Sequence, residues 1–279
     1  MKRLLAPLAL SIFFISFTDL QAQDFQGKAV YQTKSTVPMD FGNTQMSPDR
    51  VQRIKDMMKN QLEKSFVLHF DKTASVYKEE QKLDQSNRGG WMRFMMGQGV
   101  PGDHYKNTQT HVSVKESEFS GRNFLIKDPL TDYKWTLTQE SKMIGQYLCF
   151  KATTVIERPK PRPFRMGPPD KRSEAAEAAE VAMESVNVTA WYAMEIPVNH
   201  GPDNYWGLPG LILEVSAGNT TILCTKIVMN SQDKVRIEEP SKGKELTQKA
   251  FDELVRVQLK KMRERYRNER QKSGGNRRF

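Results

Sequence analysis

Cysteine and histidine are scarce in this sequence, whose 279 residues include two cysteines and four histidines. A disulfide-dense scaffold needs more cysteines than this. Several enzyme motifs are also absent: there is no Gly-x-Ser-x-Gly, His-Glu-x-x-His, Gly-Lys-Ser/Thr or Cys-x-x-Cys string. The residues specify no particular reaction, and we expect no cofactor and no structural metal.

Long apolar runs are missing except at the N-terminus. Met1, Lys2 and Arg3 give a positive start, residues 4–17 are apolar, and the string 20–22 is a small-residue cleavage pattern ahead of Gln23. This arrangement predicts a cleaved signal peptide over residues 1–22, because a membrane anchor needs about 20 apolar residues. We therefore expect a periplasmic or secreted protein, exported in a Gram-negative cell.

The chain is basic, with a formal net charge of +10 at pH 7. Cleavage after Ala22 removes Lys2, Arg3 and Asp19, which leaves +9. Export separates the protein from nucleic acid, so we expect no such partner. An anionic membrane surface remains a possible partner for the basic C-terminus.

Alternating apolar residues predict a β-rich domain over residues 23–239. Its expected form is mainly β: a single curved antiparallel sheet, half-barrel-like, with a packing helix from Ser47 to Lys64. A Pro-rich and Ala/Glu-rich insertion is predicted over 158–187. The tail 240–279 is predicted to form a basic amphipathic helix, with the alternative of a solvated end, and its apolar stripe is Phe251, Val255, Leu259, Met262 and Tyr266.

The two cysteines, Cys149 and Cys224, lie in alternating apolar stretches. An oxidising compartment permits a disulfide between them. The alternative is two separate buried thiols.

Two strings resemble the signature of the GLPGLI family. The first runs from Trp191 to Glu214 and contains Gly207, Leu208, Pro209, Gly210, Leu211 and Ile212, from which that family takes its name. The second is Gly145 to Ala152. The resemblance implies a secreted or periplasmic protein of unknown biochemical role.

The string from Gly207 to Ile212 also has a physical interpretation of its own. Leu208 to Leu211 suits a type II turn, in which Pro209 presets φ and Gly210 takes a positive φ. A structural role would bury Leu208 and Leu211 in the core. The alternative is an apolar tip that contacts a ligand.

We expect a non-enzymatic envelope protein that binds an apolar ligand, lipid or partner protein in the groove of the curved sheet. The candidate contacts are Trp91, Phe94, Trp191, Trp206, Leu208 and Leu211. One alternative is a hydrolase or peptidase centred on Glu195 and His200, with Asp203 nearby. Another is copper binding, because thioethers and imidazoles suit copper(I), and its candidates are Met92, Met95, Met96 and His104.

Overall fold

The protein is mainly β in the computed structural model, which describes residues 25–36, 39–40, 47–80, 100–160, 164–165, 182–231 and 235–275. The described strands are β1 Gly27–Ser35, β2 Met39–Asp40, β3 Glu63–Phe70, β4 Ala74–Glu79, β5 Val100–Asn107, β6 Val112–Phe119, β7 Arg122–Pro129, β8 Thr136–Ile144, β9 Tyr147–Pro159, β10 Phe164–Arg165, β11 Met183–Ala193, β12 Leu211–Ala217, β13 Thr220–Met229 and β14 Lys244–Leu246. The described helices are α1 Pro48–Leu62 and α2 Gln248–Gly275.

Twelve of these strands form one open sheet in the order β14-β7-β6-β5-β4-β3-β1-β13-β12-β11-β9-β8. Every pairing is antiparallel except β14 on β7. The short strands β2 and β10 pair separately and in parallel. The predicted fold class, mainly β with flanking helices, is confirmed. We call β3 to β7 with β14 the first wing, and β8, β9 and β11 to β13 the second wing.

Strand β1 joins the wings, because it pairs with β3 on one side and β13 on the other. Its alternation puts Ala29 and Tyr31 in the core while Lys28 and Gln32 are exposed. The Tyr31 hydroxyl donates a hydrogen bond to the carbonyl oxygen of Ile212, at 2.8 Å. Burial of a tyrosine is favourable when its hydroxyl finds such a partner, so this contact ties β1 to β12.

Helix α1 confirms the predicted N-terminal helix. Pro48 occupies the first helical position, where its missing N–H costs nothing, and the Ser47 carbonyl accepts from the N–H groups of Arg50 and Val51. The helix stops at Leu62 because the chain enters β3 at Glu63.

The C-terminal part of the chain wraps around the edge of the first wing. Ile237 packs against the cluster of Ala74, Val76, Tyr105, Val114 and Leu125. Strand β14 then pairs with β7, and Phe251 and Val255 of α2 bury themselves against Phe119, Phe124 and Ile126. The predicted amphipathic helix therefore begins as part of the fold.

Some predicted boundaries differ from the structure. The Gly and Pro residues of 81–103 predict a loop, whereas β5 begins at Val100. The alternation from Tyr133 to Leu137 predicts a strand, whereas β8 begins at Thr136. Strands β9 and β11 extend into the predicted insertion, with the Arg158 guanidinium 3.0 Å from a carboxylate oxygen of Glu184. At these strand ends the residues on both faces of the sheet are exposed. They therefore lack the alternation of apolar and polar residues from which strands are predicted. Residues 1–24 and 166–181 lie outside the described residues.

Candidate functional site

The loop of residues 194–210, which joins β11 to β12, fills the interior of the sheet at one end. Leu208 is 1% exposed, and Leu211 and Ile212 are completely buried in the main core cluster. This cluster also contains Tyr31, Phe70 and Val188, so it draws on both wings. Leu208 and Leu211 therefore have the structural role in the core and do not form an apolar tip. Neither side chain offers surface to a ligand.

The two glycines of this string are needed for different reasons. Gly207 has a φ of 91°, in the left-handed region that favours glycine, and its N–H donates to the Asn199 carbonyl at 2.9 Å. Gly210 has no positive φ, so the predicted type II turn at Leu208 to Leu211 is wrong. A Cβ on Gly210 would lie 2.3 Å from the carbonyl oxygen of Ala193, and this close approach of two backbones is what excludes a side chain.

A fully buried lysine holds the loop against the first wing. The Lys106 ammonium of β5 donates to the carbonyl oxygens of Gly201 at 2.6 Å and Tyr205 at 3.0 Å. Burial lowers the pKa of Lys106 to about 7, while Asp203 opposes this effect and Lys115 adds to it. Either protonation state retains enough N–H groups for both carbonyls, so Lys106 satisfies backbone groups that burial would otherwise leave unpaired.

Beside Lys106 lies a row of serine, histidine and aspartate. The His104 Nε2 atom is 2.9 Å from Ser113 Oγ, and Nδ1 is 3.8 Å from Asp203 Oδ1. Burial lowers the pKa of His104 well below its usual value, and the charges of Lys115 and Lys106 lower it further. The order resembles that of nucleophile, base and acid, but Ser113 is only 9% exposed and His104 6%. The geometry fits a network that fastens the loop to β5 and β6.

The acid and base pair expected at Glu195 and His200 is not assembled. Glu195 is exposed and accepts a hydrogen bond from the Leu148 N–H at 3.3 Å. His200 is completely buried, with its ring 6.3 Å from that of Phe70. Burial, followed by the charge of Lys106, lowers the pKa of His200 to about 3. The imidazole of His200 is therefore packed in the core and out of reach of a substrate, and the two side chains do not form the pair that the hydrolase alternative requires.

The structure describes one of the four copper candidates, His104. Met92, Met95 and Met96 lie outside the described residues. The fourth candidate, His104, is engaged with Ser113. Across the residues that the structure describes, no three His, Cys, Asp or Glu side chains form a group suited to a metal ion.

The tryptophans proposed as contacts occupy three different settings. Trp91, like Phe94, lies outside the described residues. Trp206 is fixed at the rim of the loop, where its Nε1 donates to the Thr131 carbonyl at 2.7 Å and its own carbonyl accepts from Trp135 Nε1 at 2.9 Å. Trp191 lies in β11, with the Lys142 ammonium 4.4 Å from its ring centroid.

The predicted disulfide is not formed. Cys149 and Cys224 are both buried free thiols in the structure. Strands β11 and β12 lie between β9 and β13, which separates the two cysteine strands by about 14 Å along the sheet. A disulfide requires Cα atoms within about 7 Å. Burial is also the main reason that the pKa of Cys149 rises to about 11 and that of Cys224 to about 12.

Sequence reasoning missed Lys106 and Ser113, and it placed Asp203 near Glu195 and His200 rather than beside His104. Lys106 occupies an ordinary position between Tyr105 and Asn107 on its strand, and its partners lie about a hundred residues further along the chain. One usable signal was the density of Gly and Pro in residues 197–210, which predicts a loop with restricted backbone geometry.

No helix among the described residues has the length and apolarity needed to cross a bilayer.

A comparison with known proteins finds similarity to a family of unknown function. Residues 135–214, from the coil before β8 into β12, match the sequence model of a family described as "Protein of unknown function (Porph_ging)". No curated protein matches the chain. Two crystal structures of PNGF-II, in space groups C2 and P21, are similar to the chain. Each has 11% sequence identity and a TM-score of 0.47, and each alignment covers 83% of the chain. The chain spans about a third of their length, 32% and 33%. Over residues 135–214, which contain the string Gly207 to Ile212, the chain is similar to this family of unknown function.

Proposed function

We propose that this protein is a non-catalytic component of the cell envelope that attaches to an anionic lipid surface through helix α2. The proposal is based on the part of α2 that follows its packed first turns, because this part of the helix is rich in Lys and Arg. We call residues 260–275 the basic arm.

Only the beginning of α2 is anchored in the fold. Phe251 and Val255 are 5% and 4% exposed, and Leu254 and Leu259 are partly buried beside them. Further along, Lys260, Lys261 and Arg265 are exposed. Since each helical residue rises 1.5 Å, the 28 residues of α2 span about 42 Å, and the packed turns account for less than half of that length.

The basic arm has the charge that an anionic surface attracts. It contains seven Lys or Arg residues and two Glu, a net charge of +5. Each basic residue near an anionic bilayer contributes about 1 kcal/mol at physiological ionic strength. Val257, which is 38% exposed, and the half-buried Met262 add apolar contacts next to these charges. An interfacial helix gains affinity from buried apolar area together with attraction to anionic lipids.

The interior of the sheet favours this proposal over a ligand held inside. The space between the wings contains the chain's own side chains, including Tyr31, Phe70 and Leu208, each less than 2% exposed. An apolar guest would have to displace this packed core. The predicted signal peptide supports an envelope location and stays a prediction.

The test is sedimentation with vesicles of phosphatidylcholine, with and without phosphatidylglycerol. The wild-type chain is expected to bind only vesicles that contain phosphatidylglycerol, and less so as salt is added. The triple variant Lys260→Glu, Lys261→Glu, Arg265→Glu should bind at least about a hundredfold more weakly, since three attractions of about 1 kcal/mol are lost and three repulsions are added.

The matched control reverses three exposed charges elsewhere, Lys28→Glu, Lys72→Glu and Arg122→Glu. Both variants have the same net charge, so a difference between them isolates the basic arm from the overall charge. Equal weakening in both variants, or equal binding to both kinds of vesicle, would refute the attachment through α2.

A further inference from the structure

A row of hydroxyl side chains crosses the second wing on the face turned away from the core. Register pairs Thr136 with Thr153, Thr153 with Thr189, Thr189 with Ser216, and Ser216 with Thr221. Residues directly opposite each other on neighbouring strands point to the same face. The five residues therefore form one line over five strands, about 19 Å long at the usual strand spacing. We call it the hydroxyl row.

The burial of the flanking residues fixes the face of the hydroxyl row. Both neighbours of Thr189 along β11, Val188 and Ala190, are completely buried. Likewise, Ser216 lies between two buried residues, Val215 and Ala217. Because successive side chains of a strand alternate between faces, the hydroxyl row faces outward.

An open cleft of about 530 Å³ lies on this row. It is lined by Lys134, Thr136, Thr153, Thr154, Val155, Asn187, Val188 and Thr189. The lining therefore combines hydroxyls and an amide with the methyl groups of threonine and of Val155, which is 61% exposed. Its one charged side chain, Lys134, forms an ion pair with Asp132, so the cleft is close to neutral.

A second row of side chains borders the first on one side. Register places Lys151, Trp191, Glu214 and Leu223 side by side. The Lys142 ammonium lies 2.7 Å from a Glu214 carboxylate oxygen as well as over the Trp191 ring. Leu223 is 39% exposed. Trp191 and Leu223 thus place apolar surface beside the hydroxyl row, among the ion-paired side chains of Lys151 and Glu214.

We propose that this face of the second wing binds a neutral polysaccharide chain that lies along the hydroxyl row and crosses the strands. Each hydroxyl both donates and accepts, which matches the repeated hydroxyls of a sugar chain. The threonine methyls and Val155 are suited to the C–H faces of the sugar rings. Ligand sites commonly combine such apolar walls with a few placed polar groups.

Two other ligands fit this face less well. An extended peptide docks by pairing with free backbone groups at a strand edge, whereas β9, β11 and β12 are each paired on both sides here. An acyl chain gains from continuous apolar surface, whereas the lining of the cleft is mostly hydroxyl, amide and ammonium side chains. This binding face is separate from the basic arm, so either proposal stands if the other fails.

The test is affinity electrophoresis in native gels that contain a soluble neutral polysaccharide, run as a panel of glucan, mannan, xylan and galactan. At least one of them is expected to retard the wild-type chain. The double variant Thr153→Val, Thr189→Val removes two hydroxyls while keeping β-branched side chains that strands accept. Its affinity should fall by at least about tenfold, as expected for two lost hydrogen bonds.

Two further variants separate the hydroxyls from folding. Thr153→Ser, Thr189→Ser keeps both hydroxyls and should keep most of the retardation. Thr110→Val, Ser241→Val changes two exposed hydroxyl residues outside the second wing and should keep all of it. The proposal is overturned by a panel without retardation, or by retardation that the Thr153→Val, Thr189→Val variant retains. An unfolded protein in the gel that retards the chain, when no polysaccharide does, would make the face a peptide site and overturn it too.

Discussion

The backbones of Gly210 and Ala193 approach so closely that no side chain fits between them. A Cβ at Gly210 would lie 2.3 Å from the Ala193 carbonyl oxygen and 2.6 Å from the Ala193 carbonyl carbon. Residues 194–210 leave β11 at Ala193 and return to β12 at Leu211, so this contact closes the base of the loop. The string from Gly207 to Ile212 therefore serves first to seat the loop in the core.

Replacing Gly210 with alanine should destabilise the fold by about 3 kcal/mol, at the upper end for overpacking, because a backbone contact cannot relax as a flexible side chain can. Gly121 provides the control, since its φ is 71° and a Cβ there meets nothing within 4 Å. Gly121→Ala should cost only about 1 kcal/mol, from the left-handed backbone alone. Denaturant titration measures both, and equal losses would contradict the steric explanation.

Replacing Lys106 with methionine should change how stability depends on pH. The pKa of Lys106 is about 7 in the fold and about 10.4 when exposed. Between about pH 8 and about pH 9 the unfolded chain thus binds one more proton than the folded chain, and the wild-type free energy of unfolding gains about 1.4 kcal/mol per pH unit from this group.

The Lys106→Met variant lacks that gain, so its slope against pH should be shallower by this amount. Other titrating groups, including both thiols, are common to the two chains and cancel in the comparison. The variant should also be less stable throughout, because the carbonyls of Gly201 and Tyr205 lose their donor. Denaturant unfolding at two pH values checks this, with Lys72→Met as the exposed control, and parallel slopes would show that Lys106 titrates normally.

Local signals predicted the elements of the fold better than its internal contacts. Ser47 followed by Pro48 marks a helix start within two residues, and the alternation in β1 is visible over its own length. Lys106 is different, because its burial depends on carbonyls of a distant loop. Gly210 beside Pro209 is typical of a turn, while the actual reason for the glycine lies at Ala193.

The hydroxyl row shows the same limit for the second wing. Thr153 and Thr189 are each unremarkable strand residues in the sequence. Their alignment depends on the register between β9 and β11, and alternation alone does not fix that register. The disulfide prediction was wrong for a related reason: it required Cys149 and Cys224 to lie on neighbouring strands, and strand order was unknown.

Both cysteines should react as thiols once the chain is unfolded and resist modification while it is folded. Burial raises the pKa of Cys149 to about 11 and that of Cys224 to about 12, so the reactive thiolate is scarce near pH 8. A colorimetric thiol titration should therefore count two thiols in denaturant and almost none in buffer. Intact mass measurement of protein recovered from an oxidising compartment provides a second check, and the loss of two hydrogens would contradict the free thiols.

Acid should destabilise the fold through His200 in particular. The pKa of its imidazole is about 3 in the fold and about 6.5 when exposed, so between about pH 6 and about pH 4 the unfolded chain binds one more proton than the folded chain. The wild-type free energy of unfolding should fall by about 1.4 kcal/mol per pH unit from this group as the pH is lowered, and His200→Gln should remove that part of the slope.

The control is Asn199→Gln, an exposed change next to His200, which introduces the same amide without removing a titrating group. Denaturant unfolding across this range measures the slopes. If His200→Gln and the wild type gave parallel curves, the imidazole would have to take up its proton inside the fold, and a completely buried ring packed beside Phe70 would not account for that.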